Sequence, residues 1–158
     1  LVSALSPPGD SARHGEFTGI KDFLWTLFSA EPARITTIID GKPAMESTGH
    51  VVIVTNMPYT SLHYQVGPEG CQTDGLLNVT HFADLTKLEL LKHIATGVYP
   101  GKQEDPRIHH YLAGTVDITT DPPMPVMVDG NVIGEVPVRT SVLRRALAVL
   151  VPHQSHSG

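Results

Sequence analysis

The 158-residue sequence holds a single cysteine, Cys71, so no internal disulfide forms and the usage fits a reducing compartment. The thiol reads as inert, because nothing beside it in the chain looks like an activating base. No lysine-arginine run exceeds Arg144-Arg145, and eleven basic side chains against sixteen acidic ones leave a net charge of −5. Duplex nucleic acid is therefore not an expected partner, since it needs a basic face to neutralise its phosphates. A polybasic membrane anchor is unsupported for the same reason. The longest apolar runs, 51–54 and 146–151, are far too short to span a bilayer. The N-terminus lacks the basic start and sustained apolar region of a signal peptide. Cytoplasmic location is the expectation, with peripheral membrane contact left open.

Familiar catalytic signatures are missing too. Nine histidines invite a metal reading, but no HExxH or Cys/His ligand set exists among them. His109 and His110 are neighbours in an expected strand, so their side chains point to opposite faces. There is no G-x-S-x-G elbow for a serine nucleophile. Nor is there a G-x-x-x-x-G-K-[ST] loop to cradle a nucleotide phosphate.

What is present is the patterning of one soluble domain, with 41% apolar and 17% charged residues. The chain starts with leucine, and residues 1–18 read as a loose segment, so a processed product and a fragment are both open. From Gly19, residues Ile20, Phe23, Leu24, Leu27 and Phe28 recur at helical spacing, and Pro32 ends the helix. A strand, an Asp-Gly turn at 40–41 and a return strand follow. Residues 50–56 read as a buried strand, 57–73 as a long connection and 74–82 as another strand. A second helix is expected next, with Asp84 as N-cap and Thr86 with Glu89 as a capping box. Its buried stripe reads as Leu85, Leu88, Leu91 and Ile94, with Gly97 closing it. Strands at about 107–112 and 114–119 precede an alternating hairpin over 123–140, then a strand at 146–152 and a loose tail, 153–158. The strands are not separated by helices as in βαβ repeats. The expected fold is mainly β, an antiparallel β-sandwich with two helices filling residues 19–152.

Two acidic turns stand out, Asp74-Gly75 before a strand and Asp129-Gly130 in the hairpin. Asp and Gly are ordinary turn residues, because Asp accepts local hydrogen bonds and Gly tolerates positive φ. A carboxylate beside free carbonyls also suits a hard cation such as Mg²⁺. Sequence spacing alone leaves both readings open.

In order and spacing, "TDGLLNVTHFADLTKLELLKHIATG", "PMPVMVDGNVIGEVPV" and "LRRALAVLVP" resemble the C-terminal half of bacterial diacylglycerol-kinase-type lipid kinases, the group that includes sphingosine kinases. In that family a DDGLLDV strand leads into a helix, a P-V-Q-V-D-G-E hairpin follows, and a strand like L-R-V-L-V-P closes the domain. The earlier segment "RITTIIDGKPAMESTGHVVIVTN" looks like the same domain's first strands. The resemblance covers about residues 19–152. It implies a β-sandwich that, joined in cis or trans to a nucleotide-binding domain carrying ATP, helps move the γ-phosphate to a lipid hydroxyl. Diacylglycerol or a sphingoid base would be the lipid.

By the same resemblance, Asp74 with the main-chain carbonyls of Cys71 and Leu76 matches a structural Mg²⁺ site. Asp129 and Gly130 match the hairpin's Asp-Gly, with Asn56 and Tyr59 nearby in the cleft. Three positions depart. Asn131 stands where the family has the glutamate expected to take the lipid's hydroxyl proton, and a neutral carboxamide does not serve as a base near pH 7. Tyr59 is followed by Thr60-Ser61 in place of a Gly-Gly-Gly turn. Thr73 replaces the first aspartate of the DDG run. Alone, then, the chain is expected to be an inactive lipid-kinase domain. The alternative is a non-catalytic lipid- or partner-binding module descended from one. A homo-oligomer is left open, formed through the sandwich face that normally meets another domain.

Overall fold

The computed structural model describes residues 2–4, 25, 27, 29, 31–56, 75–96, 105–129, 131–144 and 146. Ten strands and a helix follow in chain order: β1 (Val2–Ala4), β2 (Ala33–Ile39), β3 (Lys42–Gly49), β4 (Val52–Thr55), β5 (Leu77–Phe82), α1 (Lys87–Thr96), β6 (Ile108–Ala113), β7 (Thr115–Asp121), β8 (Pro125–Val128), β9 (Asn131–Glu135) and β10 (Val138–Ser141). They form a six-stranded sheet, β6-β5-β4-β1-β8-β9, and a four-stranded sheet, β10-β7-β2-β3. The mainly β sandwich expected from the sequence is the fold observed.

Alternation explains the smaller sheet. In β2, Ala33, Ile35 and Thr37 are buried while Arg34 faces water, and the β-branched run suits a pleated surface. Its Asp-Gly turn takes positive φ at both Asp40 (49°) and Gly41 (77°), the geometry that returns a strand without splaying its partner. Asp40 does a second job: its Oδ1 accepts from the Thr115 N–H at 2.8 Å and its N–H donates to Thr115 O at 2.9 Å. The turn therefore holds the start of β7.

The larger sheet is covered on both sides. Every residue of β5 is buried. Leu77 and Val79 enter the core between the sheets with Ile35, Val52, Val54, Val116 and Ile118. Phe82 enters a second core on the outer face, with Leu27, Ile53, Leu85, Leu90 and Met127. Inside the sandwich, His81 of β5 bridges to the smaller sheet: Nδ1 lies 2.9 Å from Thr37 Oγ1 and Nε2 lies 2.7 Å from Ser47 Oγ.

Several expectations change. Residues 1–18 do not all form a loose segment: β1 lies between β4 and β8, parallel to both. Three residues are too few to show a period, so tertiary pairing decides them. Asp84 is not the N-cap; it has φ 52°, its N–H donates to Thr48 O at 2.7 Å, and its Oδ1 accepts from the Thr48 N–H at 3.3 Å. Thr86 caps instead. Its Oγ1 accepts from the Glu89 N–H at 3.3 Å, and Glu89 Oε2 accepts from the Thr86 N–H at 2.9 Å, a reciprocal capping box.

The stripe counted from Leu85 fails because Leu85 precedes the cap and does not share the helical screw. Leu88 is 77% exposed and Leu90 is buried. The expected long hairpin also divides. β9 stays with β8, whereas β10, after Val136-Pro137, joins β7 in the other sheet. Of the first expected helix, Trp25, Leu27 and Ser29 are described, all with helical backbone. The expected strand at 146–152 and the tail lie outside the described residues, apart from Ala146.

Candidate functional site at one end of the six-stranded sheet

Strand direction and register bring the candidate residues together. β4 and β8 both run parallel to β1, and Ser3 pairs with Ile53 on one side and Met127 on the other. Asn56 and the Asp129 turn therefore leave the sheet at the same end, about 10 Å apart across β1. β5 runs the opposite way, with Asn78 opposite Thr55, so Gly75 and Leu76 enter at that end too. β6 finishes there, with Ala113 opposite Leu77. Gly114 then crosses to β7, and the Val142 N–H donates to Gly114 O at 3.1 Å. The chain after β10 is thus drawn to the same place.

Asn56, Asp129 and Asn131 are exposed, and Leu76 is half-buried. Asn131 opens β9 opposite Val128, and its Nδ2 donates to Asp129 O at 3.3 Å. The carboxamide is thus turned back on its own hairpin as a donor, a role a glutamate carboxylate could not play. Cys71, Asp74, Tyr59 and Gly130 lie outside the described residues. Of the set expected to hold Mg²⁺, only Leu76 is described. Among the described residues no group of three His, Cys, Asp or Glu side chains converges as a metal site.

Two residues given no site role from the sequence belong to this end. Gly75 has φ 73°, and a Cβ there would fall on Arg144 Nε, with Arg144 Cγ and Cδ each 3.0 Å away. The positive φ favours glycine, and a Cβ there would also make the exposed Arg144 side chain shift. Asn78 is the other. Only 3% exposed, it carries an Oδ1 with no hydrogen-bond partner. It occupies the place of the second-last residue in the DDGLLDV pattern, where an aspartate stands, and that substitution was the available signal.

The other polar clusters are structural. Burial, reinforced by His109 and opposed by Asp84, lowers the His81 pKa to about 4, so the ring is neutral near pH 7. A serine 2.7 Å from a histidine suggests a nucleophile and its base. Such a poorly basic ring, backed by the Thr37 hydroxyl where a carboxylate would be needed, is instead a bridge between sheets. At the opposite end of β5, Arg107 binds Asp105 through Nε (3.0 Å) and Nη2 (2.8 Å), and Glu89 through Nη2 (3.0 Å). His93 Nε2 lies 3.3 Å from Asp105 Oδ2. This group clamps α1 to the start of β6.

Residues 18–151 match the model of the YegS C-terminal NAD kinase β-sandwich-like domain. The chain belongs to this family. An uncharacterized protein of Synechocystis is 26% identical over 118 residues, 72% of this chain and 27% of the relative. A structure described as a diacylglycerol kinase from Bacillus anthracis superposes with TM-score 0.61 at 21% identity, covering 80% of this chain and 44% of that one. Another from the same organism gives TM-score 0.57 at 19% identity, covering 77% and 43%. The chain thus spans less than half of these structures and about a quarter of the curated relative. The family model establishes the family, and the structural matches show that its fold is shared with part of these Bacillus anthracis proteins. Among the described residues, no helix is long and apolar enough to cross a membrane.

Proposed function

We propose that this domain forms the lipid side of a phosphoryl-transfer site, in which a partner nucleotide-binding domain, in cis or trans, presents ATP to a lipid hydroxyl. The reading is supported most by the convergence of Asn56, Leu76, Asp129 and Asn131 at one end of a sheet in a domain of this family. Diacylglycerol is the first lipid to test, because solved relatives of the same fold are described as diacylglycerol kinases; a sphingoid base is the second. Asp74 and the carbonyls of Cys71 and Leu76 would hold Mg²⁺, which as a hard cation would brace the approach to β5. Peripheral contact with a cytoplasmic membrane surface would deliver the lipid.

The domain's own residues orient the acceptor and do not remove its proton. Asn131 has no basic function near pH 7, and its amide is engaged with Asp129 O. Phosphoryl transfer also needs positioned phosphates, which the recognisable motifs of this chain do not supply. Incubated alone with ATP, Mg²⁺ and a short-chain diacylglycerol or sphingoid base, the chain yields no phospholipid. Clear turnover contradicts the proposal that a second domain is required.

The Asn131 contact also favours a second reading, a lipid-binding module that kept the fold and lost the chemistry. That reading expects lipid binding indifferent to ATP, and no phosphoryl transfer from any supplied nucleotide domain.

A further inference from the structure

A buried polar atom without a hydrogen-bond partner lies beside this same end. Asn78 is 97% buried, and its Oδ1 has no partner. Leaving a buried carbonyl oxygen unpaired costs about 1–3 kcal/mol, so such an orphan calls for an explanation. Its position narrows the choice. Leu77 and Val79 face the core between the sheets, so Asn78 points the other way, onto the outer face shared with Phe82. Its cross-strand neighbours are Thr55, which immediately precedes Asn56, and Leu112. Thr55 is buried, but Leu112 is 41% exposed, so the carboxamide lies one strand from solvent, beside an accessible apolar side chain.

An unpaired acceptor bordered by apolar surface, one residue inside the strand ends that carry Asn56 and Leu76, suits a ligand with an O–H next to hydrocarbon. We propose that Asn78 is a positioning residue for the lipid, its Oδ1 accepting a hydrogen bond from the headgroup hydroxyl while Leu112 borders the hydrocarbon. The assignment rests on the lipid-kinase reading and adds to it the residue that distinguishes an alcohol from its ester. A site built to receive a hydroxyl rejects an analogue lacking it, because the acceptor is then left unpaired.

The test uses the 158-residue chain and two probes, 1,2-dioctanoylglycerol and its 3-acetyl ester, which has no free hydroxyl. The wild type should bind the alcohol about tenfold more tightly, the worth of one hydrogen bond. The Asn78 side-chain amide resonance should move with the alcohol and not with the ester. Asn78→Leu, which removes the unpartnered Oδ1, should bind both probes equally. Asn78→Asp, which keeps an acceptor oxygen, should retain the preference. Equal binding of both probes by the wild type, or an unchanged preference in Asn78→Leu, overturns the assignment and shows that water or nothing occupies Oδ1, while leaving lipid binding intact. No binding of either probe overturns the lipid reading itself, and the assignment with it.

Discussion

Thr37 on the smaller sheet and His81 on the larger one meet inside the sandwich, with Oγ1 and Nδ1 2.9 Å apart. With Ser47 on the ring's other nitrogen, this contact ties the two sheets together through a fully buried imidazole. A neutral ring satisfies both hydroxyls, since one nitrogen donates and the other accepts.

This bridge makes the fold sensitive to acid. The folded ring holds its pKa near 4, below the ordinary 6.5, chiefly because burial disfavours the charge. Between those values the unfolded chain binds a proton that the folded chain refuses, so stability is full above pH 6.5 and falls as pH drops toward 4. The loss attributable to this ring is about 3 kcal/mol. Urea denaturation across that range should show a steeper pH slope for the wild type than for His81→Gln. Equal slopes would mean the imidazole does not titrate as placed.

Helix α1 depends on its cap and clamp. Thr86→Ala removes the acceptor for the Glu89 N–H and should cost about 1 kcal/mol. Glu89 is held near pKa 2, first by the Thr86 backbone and hydroxyl and then by Arg107. Arg107 likewise holds Asp105 below the usual carboxylate range. Their stabilisation is present above the unfolded pKa values and is lost as pH falls through the folded ones. The charges are partly exposed, so the destabilisation by Arg107→Ala should be small, and smaller still at high salt. A salt-independent loss would contradict this account of the clamp.

Gly75 and Arg144 form a coupled pair. Gly75→Ala places a methyl at positive φ and onto the arginine, and should destabilise by more than about 1 kcal/mol. In an Arg144→Ala background the collision disappears and only the backbone strain remains. A double-mutant cycle should therefore show coupling; strict additivity would place the arginine elsewhere.

Much of this architecture is readable in the chain. The alternation around Asp40-Gly41, the apolar run at 51–54 and the Thr86–Glu89 spacing each encode a local choice that packing then keeps. What escapes is decided by tertiary partners. β1 is three residues long and gains its identity only from β4 and β8. β10 continues the alternation of β9 yet changes sheet at Val136-Pro137. At the site, Asn131 is conspicuous because a hairpin motif surrounds it. Asn78, by contrast, reads as the polar position of an alternating strand until the covering of both sheet faces buries it.

The most direct test of the proposed function restores the missing carboxylate. In this chain fused to the portion of the Bacillus anthracis protein that it does not cover, phosphoryl transfer from ATP to 1,2-dioctanoylglycerol should be compared for the wild type and Asn131→Glu. Asn131 is exposed, so its replacement should change stability by less than about 0.5 kcal/mol, and a change in rate can be read as chemistry. A positioned base is worth about 10²–10⁴ in rate, so Asn131→Glu should exceed the wild type by roughly a hundredfold or more. Equal rates, or no transfer in either protein, would contradict the reading of this hairpin as the acceptor side of a lipid-kinase site.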